Sequence, residues 1–201
     1  SSYLLSDSNT VGSTSTVTLT AGTLNTNGQT CSWGKFFLSN SNIRTITFGA
    51  SAITMTGTET AWDAPTTTNL TVTSNTAIVT SAVAGVTFQT GNTGNFNWQG
   101  LSLVLTGSGT VSVNGGIYLN FTRTGTAAKT DILNLINGIQ TTSTVTLNGN
   151  SSTNRLSIQS NALGTPRIIT AATVSVTNAD FRDITGAGAG NWNLSAITGG
   201  S

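Results

Sequence analysis

The chain has 201 residues, of which 41 are threonine, and Thr, Ser, Asn and Gly together make up 108 of them. Charged residues reach only 6% and the net charge is +1, against a charged share of about 25% in ordinary soluble domains. That balance leaves no electrostatic footprint for nucleic acid or anionic lipid, and the absence of histidine removes the commonest general base and the Ser-His and Cys-His nucleophile pairs.

A single Cys31 makes neither an internal disulfide nor a zinc site, and with no cation beside it in sequence it reads as a small buried filler. Apolar runs stop at three or four residues, as at 103–105, far below the ~18 that span a bilayer, so no membrane insertion is expected. The termini, Ser1-Ser2 and Gly199-Gly200-Ser201, read as those of a piece of a longer protein.

In chain order, β-branched and aromatic residues alternate with small polar ones at 16–20, 45–48, 52–56, 69–73, 110–113, 144–147, 155–159 and 173–176. This period of two predicts strands with one apolar and one hydroxyl-bearing face. Several runs come in pairs joined by short small-residue corners: 45–48 with 52–56, 70–73 with 77–80, 103–106 with 110–113, and 167–170 with 173–176. Paired units start near residues 16, 45, 70, 103, 144 and 167, a loose repeat inside or near the range of about 20 to 45 residues that marks stacked architectures.

The pattern predicts an all-β chain: a right-handed parallel β-helix, or β-solenoid, over 1–185, followed by a Gly/Ala/Ser-rich exit linker over 186–201. An antiparallel β-sandwich is the alternative, with Asn27-Gly28, Asn114-Gly115, Asn137-Gly138 and Asn148-Gly149 as hairpin turns. Corners such as Gly107-Ser108-Gly109 lack such dipeptides and favour the solenoid. One segment departs from the pattern. Asp131 to Asn137 reads either as a short helix capped by Thr130 or as a strand over 132–136, and 123–140 is a candidate insertion.

Any carboxylate enzyme would draw on Asp7, Glu59, Asp63, Asp131, Asp180 and Asp183. Glycoside cleavage takes two converging carboxylates, but Asp180 and Asp183, three apart in a strand, point to opposite faces, and a solvated strand end with Arg182 beside both is the plainer reading. Lys129 is the cation nearest Asp131 in sequence. Glu59 and Asp63 around Trp62 read as an acid-aromatic sugar grip or, more plainly, as a loop whose Trp covers a sheet end. Trp33, Trp62, Trp98 and Trp192 are candidate sugar platforms, and for Trp33 and Trp98 packing is the safer reading. The Thr-x-Thr units at 16–20, 71–73 and 144–146 raise an ice-binding lattice, yet their irregular period predicts no flat register. Gly186-Ala187-Gly188-Ala189-Gly190 lacks the Lys and helix of a phosphate loop. No catalytic, cofactor-binding or metal-ligating residue is therefore expected.

The stretch 154–160, Gly164-Thr165, 173–176 and 180–185, and in style also 20–28 and 42–49, resembles the long Gly/Thr/Ser-rich β-helical surface proteins of tailed bacteriophages, in texture rather than in an invariant motif. The resemblance implies a non-enzymatic structural or adhesive segment of a tail fibre, tail spike or head fibre, located on the virion or otherwise extracellular. Its expected partners are further copies of itself, as a trimer, other virion proteins and a host surface glycan. A β-helical polysaccharide depolymerase and a bacterial surface adhesin or filament protein are the alternative readings.

Overall fold

The computed structural model describes residues 1–91, 94–127 and 131–192. Among them there are strands and corners and no helix. The first coils are β1 (Ser2–Leu4), β2 (Asn9–Thr10), β3 (Thr16–Thr18); β4 (Gly22–Asn25), β5 (Thr30–Trp33), β6 (Lys35–Phe37); and β7 (Arg44–Thr47), β8 (Ala52–Met55), β9 (Thr60–Asp63). The middle coils are β10 (Leu70–Thr73), β11 (Ile78–Ser81), β12 (Thr87–Gln89); β13 (Gly94–Asn97), β14 (Ser102–Leu105), β15 (Thr110–Val113); and β16 (Gly115–Tyr118), β17 (Phe121–Thr124), β18 (Asp131–Leu135). The last are β19 (Ile139–Thr141), β20 (Thr144–Asn148), β21 (Leu156–Ser160); β22 (Arg167–Thr170), β23 (Thr173–Thr177), β24 (Ala179–Arg182); and β25 (Ile184–Ala187), which opens a ninth coil.

Each strand pairs with the third one along, β10 and β13 excepted, and every pairing is parallel, as in β5 with β8 and β18 with β21. The chain is thus a right-handed parallel β-helix with three faces. The second face is an unbroken sheet of eight strands from β2 to β23, and the third is another eight from β3 to β24. The first face is split into β1-β4-β7-β10 and β13-β16-β19-β22-β25. Parallel pairing excludes the sandwich, and the Asn-Gly pairs are corners rather than hairpin turns.

Successive coils begin 17 to 28 residues apart, shorter and steadier than the repeat read from sequence. The units counted there mix faces: the run at 16 is on the third face, those at 45 and 70 on the first, and those at 103 and 144 on the second. Short strands with little alternation, such as β1 and β16, escaped the count.

Inside, like residues stack in columns. On the second face Cys31, Ile53, Val79, Leu103, Phe121, Val145 and Val174 lie one above another. On the third, Val17, Phe36, Trp62, Phe88, Val113 and Leu135 do the same. Residues 131–135 form a strand because their alternation continues these ladders, with Leu133 between Val111 and Ile158. Thr130 and Lys129 lie outside the described residues. Within 123–140 the chain supplies β17, β18 and β19 to the ladders, while 186–187 complete β25 and residues 193–201 lie outside the described residues.

The corner between the second and third faces is set by close backbone approach. A Cβ on Gly57 would stand 2.4 Å from the carbonyl oxygen of Gly34 below it, and a Cβ on Gly34 equally close to that of Gly12. Real side chains do not fit there, so the coil turns tightly only with glycine.

Candidate functional site

The residues that sequence offered for chemistry are distributed by the coil geometry, and most are engaged in holding coils together. Asp180 lies in β24 one coil above Arg155, whose guanidinium donates to both of its carboxylate oxygens at 2.8 to 3.0 Å and to the Ala179 carbonyl at 2.8 Å. That contact raises the Arg155 pKa. Asp183 sits past the strand end at φ 54° and accepts from the Gly164 amide at 3.0 Å. The two acids thus serve different corners, and the partner of Asp180 is Arg155 rather than the sequence neighbour Arg182, because stacking places residues about one coil apart in contact.

Glu59 and Asp63 do not form a grip with Trp62. Trp62 lies within β9 and points into the core, 1% exposed, so the segment is a strand and not a covering loop. Asp63 faces outward and pairs with Lys35 at 2.9 Å. Glu59, exposed at φ 62°, borders a groove of about 330 Å³ with Ser13, Thr14, Thr16, Lys35, Thr58 and Thr60, and it is the one carboxylate lining that groove.

Three of the four indoles are walled in. Trp33 donates to Asn9 Oδ1 at 2.8 Å and Trp98 to the Thr90 carbonyl at 3.1 Å, both within an aromatic ladder. Phe36 stands 4.9 Å from Trp33 and from Trp62, and Trp62 stands 5.2 Å from Trp98. With their faces covered, these rings offer no platform to a sugar. Trp192 is half-buried, donating to the Ala187 carbonyl at 3.1 Å. Cys31 is buried, and burial pushes its thiol pKa up, away from the reactive range.

Alternation in sequence gave no sign of two interior arginines. Arg44 opens β7 fully buried and donates to the carbonyls of Asn42 at 2.9 Å, Thr68 at 2.6 Å, Thr66 at 3.5 Å and Leu38. Arg123 occupies the column between Leu105 and Leu147 and donates to Thr124 O at 2.7 Å and Gly109 O at 3.2 Å. Beside it, the carboxylate of buried Asp131 accepts the amides of Gly109 and Thr126, each at 2.6 Å. Burial raises the Asp131 pKa, but these amides and the charge of Arg123 outweigh it and hold the group below its ordinary value. Buried charges that meet carbonyls and amides in this way are structural clamps on corners.

What the solenoid presents outward is a set of hydroxyl columns, and here the register expected to be missing is present. Ser32, Thr54, Thr80, Val104, Thr122, Thr146 and Ser175 stand in one column on the second face. Thr23, Thr45 and Thr71, with Asn25, Thr47 and Thr73, form two more on the first. The irregular period is absorbed in the corners, so the faces stay aligned. The long column is interrupted by Val104 and its outward neighbour on the same face by Ala52 and Ile78, and the short array spans three strands, which does not make the continuous lattice that ice binding takes. No outward position in the strands of the second face carries a charge. Among the described residues no three His, Cys, Asp or Glu side chains gather as a metal site.

Fold and surface define a β-solenoid with structural corners and hydroxyl columns on two faces, the second of which carries no outward charge in its strands. No family model, no curated protein and no solved structure matches the chain.

Proposed function

We propose that the chain is a non-enzymatic rod segment of a surface appendage, of tail-fibre, tail-spike or head-fibre type on a phage particle, which holds or forms a receptor-binding element. The observation that supports this reading is the use made of the chemical side chains. Asp63, Asp131, Asp180 and Asp183 each brace one coil or corner against another, while the outer faces display hydroxyls. Eight stacked strands about 4.8 Å apart make a rod about 34 Å long, a spacer geometry to which further coils add without redesign. An uncharged, hydroxyl-rich flank avoids charge-driven adhesion and meets glycans through hydrogen bonds.

The test is immunogold labelling with antibody raised against the folded chain, together with incubation of the purified protein on host-type polysaccharide. Label on particle fibres or spikes, with no sugar released, is the expected result. Label inside cells, or release of reducing or unsaturated sugar that stops in a folded Asp180→Asn, Asp183→Asn variant, overturns the reading, the latter in favour of a depolymerase.

A further inference from the structure

We propose that the groove beside Glu59 binds a short stretch of uncharged saccharide, with the Glu59 carboxylate as its principal hydrogen-bond acceptor. The proposal rests on the rod reading above and names the class of ligand and the place on this chain that holds it.

The groove comes from unequal corners between the second and third faces. Residues 11–15 make this corner in the first coil and residues 56–59 in the third, whereas in the second coil Gly34 alone joins β5 to β6. The two longer corners close over the short one. A Cβ on Gly34 would stand 2.5 Å from the Ser13 carbonyl oxygen, and one on Gly57 2.9 Å from the same atom. The Lys35 amide donates to Ser15 O at 2.9 Å and the Gly57 amide to Gly34 O at 3.0 Å. Three coils thus hold the groove in one shape, and a preformed site loses little freedom when a ligand enters.

Glu59 is the residue out of place. At the last position before a third-face strand the chain turns through a positive φ at Gly109 (81°), before β15, and at Asn178 (48°), before β24. Glycine and asparagine take that conformation readily. Glu59 takes it at 62° before β9, with its side chain exposed and, among the described residues, joined to no hydrogen bond or ion pair. A strained backbone that no local contact of the side chain offsets points to a use for that side chain outside the fold.

The surroundings decide which ligand. Ser13, Thr14, Thr16, Thr58 and Thr60 line the groove, and each hydroxyl both donates and accepts. The Lys35 ammonium lies 2.9 Å from Asp63, which leaves Glu59 as the unbalanced charge and turns away uronates, sulfates and phosphates. A single carboxylate at the water boundary holds an ammonium weakly, and hydroxyls add little to that. Neighbouring sugar hydroxyls, by contrast, donate to the carboxylate and exchange hydrogen bonds with the threonines. The volume of about 330 Å³ is at the small end of ligand sites and suits about one or two sugar rings. With no aromatic ring among the described lining residues, binding rests on a few hydrogen bonds, and Kd should be on the order of 1 mM.

Saturation-transfer difference NMR of the full chain tests this, titrating maltose, cellobiose, lactose and N,N′-diacetylchitobiose, with digalacturonate and spermidine as the anionic and cationic probes. At least one neutral disaccharide should bind, weakened at least about tenfold by Glu59→Gln and by Glu59→Asn, and unchanged by Thr146→Ala on the second face. Because asparagine suits the turn, Glu59→Asn should keep or raise the urea midpoint, which separates lost binding from lost folding. No neutral disaccharide bound up to about 10 mM, binding of digalacturonate or spermidine alone, or undiminished binding in Glu59→Asn overturns the proposal. So does a lowered urea midpoint in Glu59→Asn, which would make Glu59 a structural residue. None of these outcomes bears on the rod reading, which is judged by antibody label and sugar release.

Discussion

Arg155 grips Asp180 from the coil below, with Nε 2.9 to 3.0 Å from both carboxylate oxygens and one terminal nitrogen at 2.8 Å. Side-chain exposure is 13% for the Arg and 36% for the Asp, so the pair works at the water boundary, where screening holds such contacts to about 0.5–1 kcal/mol. A double-mutant cycle of Arg155→Ala and Asp180→Asn, followed by urea denaturation, should return a coupling of that size. A coupling indistinguishable from zero would show that the clamp is ornamental to stability.

Trp62 and Trp98 meet edge to face at 5.2 Å and 82°, yet they differ in one bond. The Trp98 indole nitrogen donates to Thr90 O, whereas that of Trp62 has no partner. Replacing either with Ala should cost about 3–5 kcal/mol through lost burial and cavity. Replacing either with Phe removes similar volume, but Trp98→Phe also strands a buried carbonyl while Trp62→Phe deletes an unsatisfied donor. Trp98→Phe should therefore be the more destabilising by about 1 kcal/mol, read from the two urea midpoints.

Asp131 carries the pH dependence. Its folded pKa lies below the ordinary value, so the unfolded chain binds the proton more readily. The stabilisation is complete above the unfolded carboxylate pKa of about 3.9 and is lost as pH falls through the lower folded value. Thermal unfolding should show a drop in Tm confined to below about pH 4. Asp131→Asn should lower Tm at neutral pH and flatten the acid limb, because an amide cannot accept from both Gly109 and Thr126 in the same way. An unchanged acid limb in that variant would assign the dependence to another group.

Gly57 tests the tight corner. Gly57→Ala sets a Cβ against Gly34 O and should destabilise by about 1–3 kcal/mol, the usual penalty of overpacking. Gly28→Ala is the comparison, since its Cβ would meet nothing within 4 Å while its φ of 74° still disfavours a side chain. A Gly57→Ala variant as stable as wild type would mean that the corner yields.

From the sequence alone, the all-β class and the stacked parallel architecture were legible, because alternation at places such as 144–147 and 173–176 is a local property of the chain. The interior Trp33 and Trp98 were legible too, since aromatic neighbours travel with them. Coil boundaries were not: β16, Gly-Gly-Ile-Tyr, is a strand only because β13 and β19 flank it. Nor was the choice at 131–135, where helix and strand patterns coincide until Val111 and Ile158 stand on either side of Leu133. The tertiary structure alone placed Arg44 and Arg123 inside, because beside a local carbonyl each is solvated by one from a corner many residues away, Thr68 for Arg44 and Gly109 for Arg123. It alone joined Arg155 to Asp180 and aligned the threonine columns. The physical reason is common to all of these: in a solenoid the contacts that matter run between coils, some 17 to 28 residues apart, and corner loops of varied length hide that register from any reading along the chain.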